Sequence, residues 1–205
     1  MHRTAMPLRA PSLLPARRNF TTAALGLLLA AGLAAPALAA SNATYSKDGV
    51  SFEHPVGWKV TDDSVAQDET RLRSIDLEGP DDAVVTLMFS PFLQRQNIES
   101  FAATTAKNRA ESAKSGSAVA QQLQFGPATT TPITRNVAGQ ESKGVSQRFV
   151  ISMQNMKLPH EARFFKADLG TTTVIVMTQV ADEYAKATEP GFALALKSLR
   201  YSAGR

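Results

Sequence analysis

The sequence contains no cysteine among its 205 residues. This absence excludes disulfide bonds, thiolate metal sites, a thiol nucleophile and an N-terminal lipid-modified cysteine. Histidine is almost as scarce, because only His54 and His160 lie after residue 40. A zinc site with nitrogen ligands would need both of them together with carboxylates. We therefore expect this protein to hold no metal and no cofactor.

The sequence motifs of familiar enzymes are also missing. There is no G-x-S-x-G elbow, no S-x-x-K, no phosphate-binding loop and no dinucleotide fingerprint. His160-Glu161 lacks the second histidine of H-E-x-x-H, since position 164 is phenylalanine. The alternating spacing of a calcium loop is missing from the acidic pairs Asp62-Asp63, Asp68-Glu69 and Asp81-Asp82. The sequence therefore predicts a protein that is not an enzyme.

Beyond residue 40 the chain lacks an excess of either charge. The formal charge of the whole chain is +4, but residues 1–40 contain four arginines and no acidic residue. The remainder carries 18 Lys and Arg against 18 Asp and Glu. It therefore offers no global electrostatic attraction for nucleic acid or for an anionic membrane.

Residues 1–39 have the three parts of an export signal. A basic region ends at Arg17-Arg18, an apolar run covers residues 23–35, and Ala37-Leu38-Ala39 fits the A-x-A cleavage rule. The apolar run is short for a membrane span, so we expect cleavage and not a retained anchor. Cleavage after Ala39 or Ala40 would place a single domain, residues 40–205, in the periplasm or outside the cell.

The route of export stays open between two pathways. Arg17-Arg18-x-Phe20 resembles a twin-arginine signal and is followed by a weakly hydrophobic run. The residue before the pair is Ala16, where such signals usually have Ser or Thr. Twin-arginine export would carry the domain across the membrane already folded, whereas the general secretory route would not.

Residues 49–60 combine a strand, a forced bend and a second strand. Pro55 ends the hydrogen-bond ladder because it has no N–H, and Gly57 allows backbone angles that other residues resist. Trp58, the only tryptophan, follows at once, and we expect it to anchor this corner of the fold in the core. His54 falls on the buried face of the first strand, where a hydrogen-bonded structural histidine is expected.

Residue patterns after this corner predict further strands, one long helix, more strands and a closing helix. Asp48-Gly49 predicts a two-residue hairpin turn, and Asn97 can cap a helix from Ile98 to about Ser115, with Gly116 at its end. Alternation predicts strands at residues 50–54, 58–61, 71–77, 83–90, 132–137, 141–154, 161–168 and 172–180. The strand at 83–90 is expected to be central and buried on both faces.

Three remaining segments complete the predicted order. Residues 62–70 are polar and predict an exposed loop or one helical turn, and residues 155–159 predict a loop or hairpin end. The closing helix is expected to begin near Pro190, since proline suits a first helical position. Short turns between the strands favour an α+β fold, an antiparallel β-sheet with helices packed on its faces.

The chain resembles the PsbP-like superfamily, which is named for the extrinsic P subunit of photosystem II and includes DcrB-like exported proteins. The segments that carry the resemblance are Phe52-Glu53-His54-Pro55-Val56-Gly57-Trp58, Leu77-Glu78-Gly79-Pro80-Asp81, the long helix, Ala138-Gly139-Gln140-Glu141, residues 172–180 and residues 192–199. The resemblance implies an αβα sandwich and a non-enzymatic binding or assembly factor. It implies no photosystem role, because no manganese or calcium motif of the family can be placed.

Two functions stay open at this point. The first is an exported, non-enzymatic PsbP-like protein that serves as an accessory, assembly or binding factor for an envelope partner complex. The second is a small-ligand-binding protein or cryptic enzyme with a pocket between sheet and helix. The candidate contacts for a partner or ligand are Trp58, Asp81 and His160. Docking on a partner predicts an exposed apolar patch, whereas ligand binding predicts an enclosed pocket. We expect docking because catalytic residues are so few.

Overall fold

The structure is a computed structural model that describes residues 41–115, 117 and 120–202. The predicted export signal, residues 1–39, and the predicted helix end at Gly116 lie outside the described residues. The strands are β1 (Asn42–Lys47), β2 (Val50–Pro55), β3 (Lys59–Val65), β4 (Arg73–Glu78), β5 (Val84–Ser90), β6 (Gln124–Phe125), β7 (Thr129–Val137), β8 (Gln140–Met153), β9 (Met156–Asp168), β10 (Thr173–Ala181) and β11 (Arg200–Tyr201). The helices are α1 (Ile98–Ser115) and α2 (Ala185–Ser198), with short 3-10 helices at Pro91–Arg95, Ala120–Gln122 and Asp182–Tyr184.

Eight strands form one antiparallel sheet in the order β3-β4-β5-β10-β9-β8-β6, with β7 also paired to β8. A second sheet has the order β1-β2-β11. Helix α2 and the small sheet cover one face of the large sheet, and α1 covers part of the other. Phe165 packs in the first core and Phe164 in the second, because successive side chains of a strand point to opposite faces. The α+β architecture expected from the sequence is confirmed.

Local signals in the sequence place two features correctly. Asp48 and Gly49 both have positive φ, at 46° and 80°, and connect Lys47 directly to its partner Val50. These angles suit the two-residue hairpin turn. The side chain of Asn97 accepts a hydrogen bond from the N–H of Ser100 at 2.8 Å, so it caps α1 as predicted.

Strand β3 corrects the predicted loop at residues 62–70, because it continues to Val65. Its later residues pair with β4 after a bulge between Val60 and Asp62. An acidic strand is tolerated here because β3 lies at the edge of the sheet and Asp63 is paired with Arg73. The ion partner is distant in sequence, and alternation could not indicate it.

Strand β9 corrects the predicted loop at residues 155–159, because it begins at Met156. Its pairing with β10 ends at His160, opposite Ala181, whereas its pairing with β8 continues to Met156, opposite Met153. Pro159 therefore lies where β9 has a neighbour on one side, and the absence of its N–H is tolerated.

Helix α2 corrects the predicted helix start, because it begins at Ala185 and contains Pro190 in its second turn. The missing N–H of Pro190 removes one helical hydrogen bond, but the residue is exposed to solvent. The first turn is held by the hydroxyl of Thr188, which donates to the carbonyl of Tyr184 at 3.0 Å.

Two smaller differences concern β7 and β5. Strand β7 begins at Thr129, before the predicted start at Pro132, because its pairing with β8 extends to Arg148. Strand β5 is central as expected, but it is fully buried on one face only, since Val84 and Met88 are half-buried.

Within the ranges that the structure describes, no helix is long and apolar enough to cross a membrane.

Candidate functional site

Trp58 lies in the core with 7% of its surface exposed. Its indole packs edge-on against Phe192 of α2, with ring centroids 5.4 Å apart and planes at 90°. Gly79 and Gly191 lie against the ring, where a Cβ on either residue would overlap it. The indole therefore holds α2 to the sheet, in the core position that the sequence predicts for it, and its role as a contact residue stays a prediction. His54 is also buried, with Nδ1 3.1 Å from the carbonyl oxygen of Pro55.

Asp81 lies in the exposed turn between β4 and β5, with φ at 56°. This turn is closed by backbone hydrogen bonds from Gly79 to Ala83 and from Ala83 to Pro80. The turn reaches the same end of the sheet as His160, because Val84 pairs with Gln179 of β10 and β10 ends opposite His160. Since β10 separates β5 from β9, the two strands are about 10 Å apart.

His160 pairs with Phe149 across β8 and β9 and stacks on its ring at a centroid distance of 5.8 Å. Its Nδ1 lies 2.9 Å from the carbonyl oxygen of Leu158. The structure thus places His160 at the point where the β8–β9 hairpin extends beyond β10. The roles of His160 and Asp81 as contact residues stay predictions.

The hairpin beyond His160 carries an apolar surface. Two cross-strand pairs, Ile151 with Leu158 and Met153 with Met156, lie on the face that α1 covers farther along the sheet. Leu158 is 38% exposed and Met156 is 50% exposed, whereas Ile151 still packs against the core beneath α1. We call these four residues the apolar tip. It continues a buried core outward into solvent.

A charged cleft lies on the opposite face, between β7, β9 and α2. It has a volume of about 430 Å³ and is open to solvent, with a second open cleft of about 410 Å³ along α2. The residues that line the first cleft are Ile133, Thr134, Arg135, Glu161, Arg163, Phe165 and Glu189. Sequence patterns did not indicate this cleft, because its charged residues come from three elements far apart in the chain.

The charged residues of the cleft form one chain of hydrogen bonds. The hydroxyl of Ser146 donates to Glu161 at 2.6 Å, and the Arg163 guanidinium donates to Glu161 at 2.7 Å and to Glu189 at 2.8 Å. The Arg135 guanidinium also donates to Glu189. A single carboxylate, that of Glu189, thus joins two guanidinium groups.

The two acids of the cleft differ in how firmly they are held. Burial raises the pKa of Glu161, but hydrogen bonds from Arg163 and Ser146 outweigh burial and keep that pKa below its ordinary value. Burial would lower the pKa of Arg163, yet its bonds to Glu161 and Glu189 raise it. The side chain of Glu161 is 10% exposed and that of Glu189 is 42% exposed. Glu161 is therefore the fixed counter-ion and Glu189 the accessible one.

Two buried polar side chains, those of Arg109 and Gln147, lie between α1 and the sheet. The guanidinium of Arg109 stacks over the Phe149 ring at 4.2 Å, and burial lowers the pKa of Arg109. Its Nη2 atom and the buried Oε1 atom of Gln147 have no hydrogen-bond partner among the described residues. Across the described ranges, no group of three or more acidic or histidine side chains is arranged to hold a metal ion.

Comparisons with known proteins concern the fold. No protein-family model matches the chain, and no curated protein matches it. Among solved structures, the chain is similar to cyanobacterial PsbP (CyanoP) from Synechocystis, with 14% identity and a TM-score of 0.46 over 87% of this chain and 99% of that one. It is also similar to a Pseudomonas aeruginosa protein of unknown function, with 12% identity and a TM-score of 0.33 over 74% of this chain and 90% of that one. A PsbP structure is thus among its structural neighbours, as the sequence resemblance predicts, and neither neighbour carries an argument about function.

Proposed function

We propose that this chain is an exported, non-enzymatic accessory protein that docks on a protein partner in the cell envelope through the apolar tip. The observation that carries the proposal is the exposure of Met156 and Leu158 at the end of a hairpin that extends beyond β10. Apolar side chains exposed together on one surface commonly mark an interaction site. Burial of the tip against a partner would complete the core that α1 covers only in part.

The composition of the tip favours a protein groove as the partner surface. Methionine is unbranched and flexible, so Met153 and Met156 can fill an irregular apolar groove. Lys157 is the one charged residue between Met153 and Leu158. Because the chain after residue 40 has equal numbers of acidic and basic residues, attraction to anionic lipid headgroups would be weak.

Crosslinking from the tip tests the proposal directly. A photo-crosslinking residue placed at Met156 is expected to capture one protein from native envelope extract. The control position is Phe92, which is 58% exposed but lies beyond the other end of β5. Equal capture from both positions, or none from Met156, would contradict docking through the tip.

A paired substitution measures the strength of docking. Met156→Ser with Leu158→Ser is expected to weaken partner binding about tenfold or more, since buried apolar anchors contribute most of the affinity of an interface. The melting temperature should change little, because both side chains are exposed, and Phe92→Ser is the matched control. If the wild type co-sediments with lipid vesicles, the paired variant does not, and no protein partner is found, the tip would instead contact a membrane surface.

Export remains part of this proposal. Cleavage after Ala39 or Ala40 is expected to leave an N-terminus at Ala40 or Ser41 in the processed protein. Mass measurement of the protein recovered from its host locates that N-terminus, and an intact chain would contradict export by cleavage.

A further inference from the structure

We propose that Arg135 and Arg163 form a binding site for a small organic carboxylate, which Glu189 occupies when the ligand is absent. The proposal concerns the charged cleft on the α2 face and does not depend on docking through the apolar tip. Its basis is that two guanidinium groups converge on one carboxylate, that of Glu189, whose side chain is 42% exposed.

The geometry around Glu189 is that of a carboxylate recognised by two arginines. Arg163 donates through Nη1 to one oxygen at 2.8 Å, and Arg135 donates through Nη2 to the other oxygen. Charge-assisted bonds from guanidinium groups are among the strong hydrogen bonds of proteins, and their planar fork matches a carboxylate. A ligand carboxylate at the same place would meet the same donors.

The two guanidinium groups cannot leave this place easily, whereas Glu189 can. The side chains of Arg135 and Arg163 are 15% and 25% exposed, and both extend from strands of the sheet. Arg163 is also held by Glu161, which Ser146 fixes in turn. Glu189 is on the surface of α2, and a change of rotamer would carry its carboxylate into solvent. The donors are therefore preorganised and their present occupant is replaceable.

The charge of the cleft favours an anion even with Glu189 present. The second cleft shares Arg163 and Glu189 with the first and adds Lys186. The three cations of the two clefts then face two carboxylates, those of Glu161 and Glu189. Displacement of Glu189 by a ligand would leave this balance unchanged, because one carboxylate replaces another.

The shape of the cleft indicates an acid with an apolar body. A volume of about 430 Å³ falls within the range of small-molecule sites. Ile133 and Phe165 supply apolar wall beside the arginines, and Glu189 stands between the two clefts, so its movement would join them. An aromatic or aliphatic carboxylic acid has both an anionic group for the arginines and an apolar body for this wall. Inorganic phosphate has only the anionic group.

Titration of the purified protein with benzoate tests the site. We expect chemical-shift changes at Arg135 and Arg163 in the wild type, and in Glu189→Gln a benzoate affinity at least about tenfold higher, because the competing charge is removed. Benzyl alcohol has the same ring without the charge and is expected not to bind. Glu183→Gln removes an exposed carboxylate just before α2 and is expected to leave benzoate affinity unchanged.

Substitution of Arg135 tests the hydrogen-bond donors of the site. Arg135→Gln is expected to abolish benzoate binding while it keeps the melting temperature of the wild type. If that variant is unstable, Arg135→Lys should weaken benzoate binding severalfold, because the bidentate fork of the guanidinium is lost. No benzoate binding to Glu189→Gln would overturn the proposal, and so would equal binding of benzyl alcohol or of inorganic phosphate. None of these results bears on crosslinking from Met156, so the two proposals fail separately.

Discussion

At the scale of single residues, the side chain of Trp58 accounts for the presence of glycine at two other positions. Gly79 lies before the β4–β5 turn and Gly191 lies inside α2, where glycine ordinarily costs about 1 kcal/mol relative to alanine. Both face the indole of Trp58 at distances that leave no room for a Cβ. The bulk of Trp58 thus requires the absence of bulk at two positions distant from it in sequence.

A mutant cycle on this contact gives the first prediction. Trp58→Ala is expected to lower the free energy of unfolding by about 3–5 kcal/mol, the usual loss for a large buried aromatic residue. Gly191→Ala alone should destabilise by about 1–3 kcal/mol, because the new methyl group overlaps the ring. In the Trp58→Ala background the same substitution should be neutral or stabilising, since only helix propensity remains.

Urea unfolding of the four proteins measures the cycle. Additive effects of the two substitutions would show that Trp58 and Gly191 do not contact each other. An unchanged stability of Trp58→Ala would show that the indole is not part of the core. It would then support the prediction that Trp58 contacts a partner.

At the scale of elements, α1 depends on its N-terminal cap and on a thin apolar stripe. Its buried residues are Ala102 and Ala113, and the larger Ile98 and Phe101 are half-buried. Small side chains bury little area, so packing stabilises this helix modestly. The cap at Asn97 therefore supplies a substantial part of what holds its first turn.

Removal of the cap is the prediction at this scale. Asn97→Ala is expected to destabilise the protein by about 1 kcal/mol, because the N–H of Ser100 loses its acceptor. Asn97→Ser keeps a capping oxygen and should cost a few tenths of a kcal/mol at most. Thermal unfolding distinguishes the two variants, and equal losses from both would show that capping is not the cause.

At the scale of the whole molecule, an ionic cluster joins the two sheets. Asp63 of β3 accepts hydrogen bonds from Tyr45 at 2.7 Å and Lys47 at 2.6 Å, both on β1, and from Arg73 of β4 at 2.8 Å. Arg73 also donates to the carbonyl of Asp48 at 3.1 Å. The hydrogen bond from Arg73 is the largest cause that lowers the pKa of Asp63. The small sheet is thus fastened to the edge of the large one by charge as well as by packing.

This cluster predicts how stability depends on pH. A carboxyl group whose pKa is lower in the folded state stabilises the fold above its ordinary pKa, and this stabilisation is lost as the pH falls through the lowered value. Asp63→Asn should therefore cost about 1.5–3 kcal/mol at pH 7, the range for hydrogen bonds to charged groups. The difference from the wild type should shrink steadily as the pH falls from the ordinary carboxyl range toward pH 2.

Unfolding by urea between pH 7 and pH 2 measures this difference. Asp62→Asn is the matched control, because the neighbouring carboxylate is exposed, and it should stay within about 0.5 kcal/mol of the wild type. A loss for Asp63→Asn that is the same at every pH would contradict the role of its charge.

The parts of the fold that depend on neighbours in sequence could be predicted from sequence. The turn at Asp48-Gly49, the cap at Asn97, the alternation of β8 and the β-branched residues of β10 express backbone angles, local hydrogen bonds and side-chain preferences. Of the residues proposed as contacts, His160 lies beside the apolar tip, whereas Trp58 is buried. An aromatic residue after a bend has the same pattern whether the core or a partner covers it.

Composition and local residue patterns were enough to predict the class of fold, the corner at Pro55, the capped helix and the balance of charge after residue 40. The tertiary structure sets how far β3 and β9 extend, because β3 depends on its ion pair with Arg73 and β9 depends on its pairing with β8 beyond the end of β10. It alone brought Arg135 and Arg163 to Glu189, although 54 and 26 residues separate them. Such contacts are set by sheet register and helix packing, which no local pattern encodes.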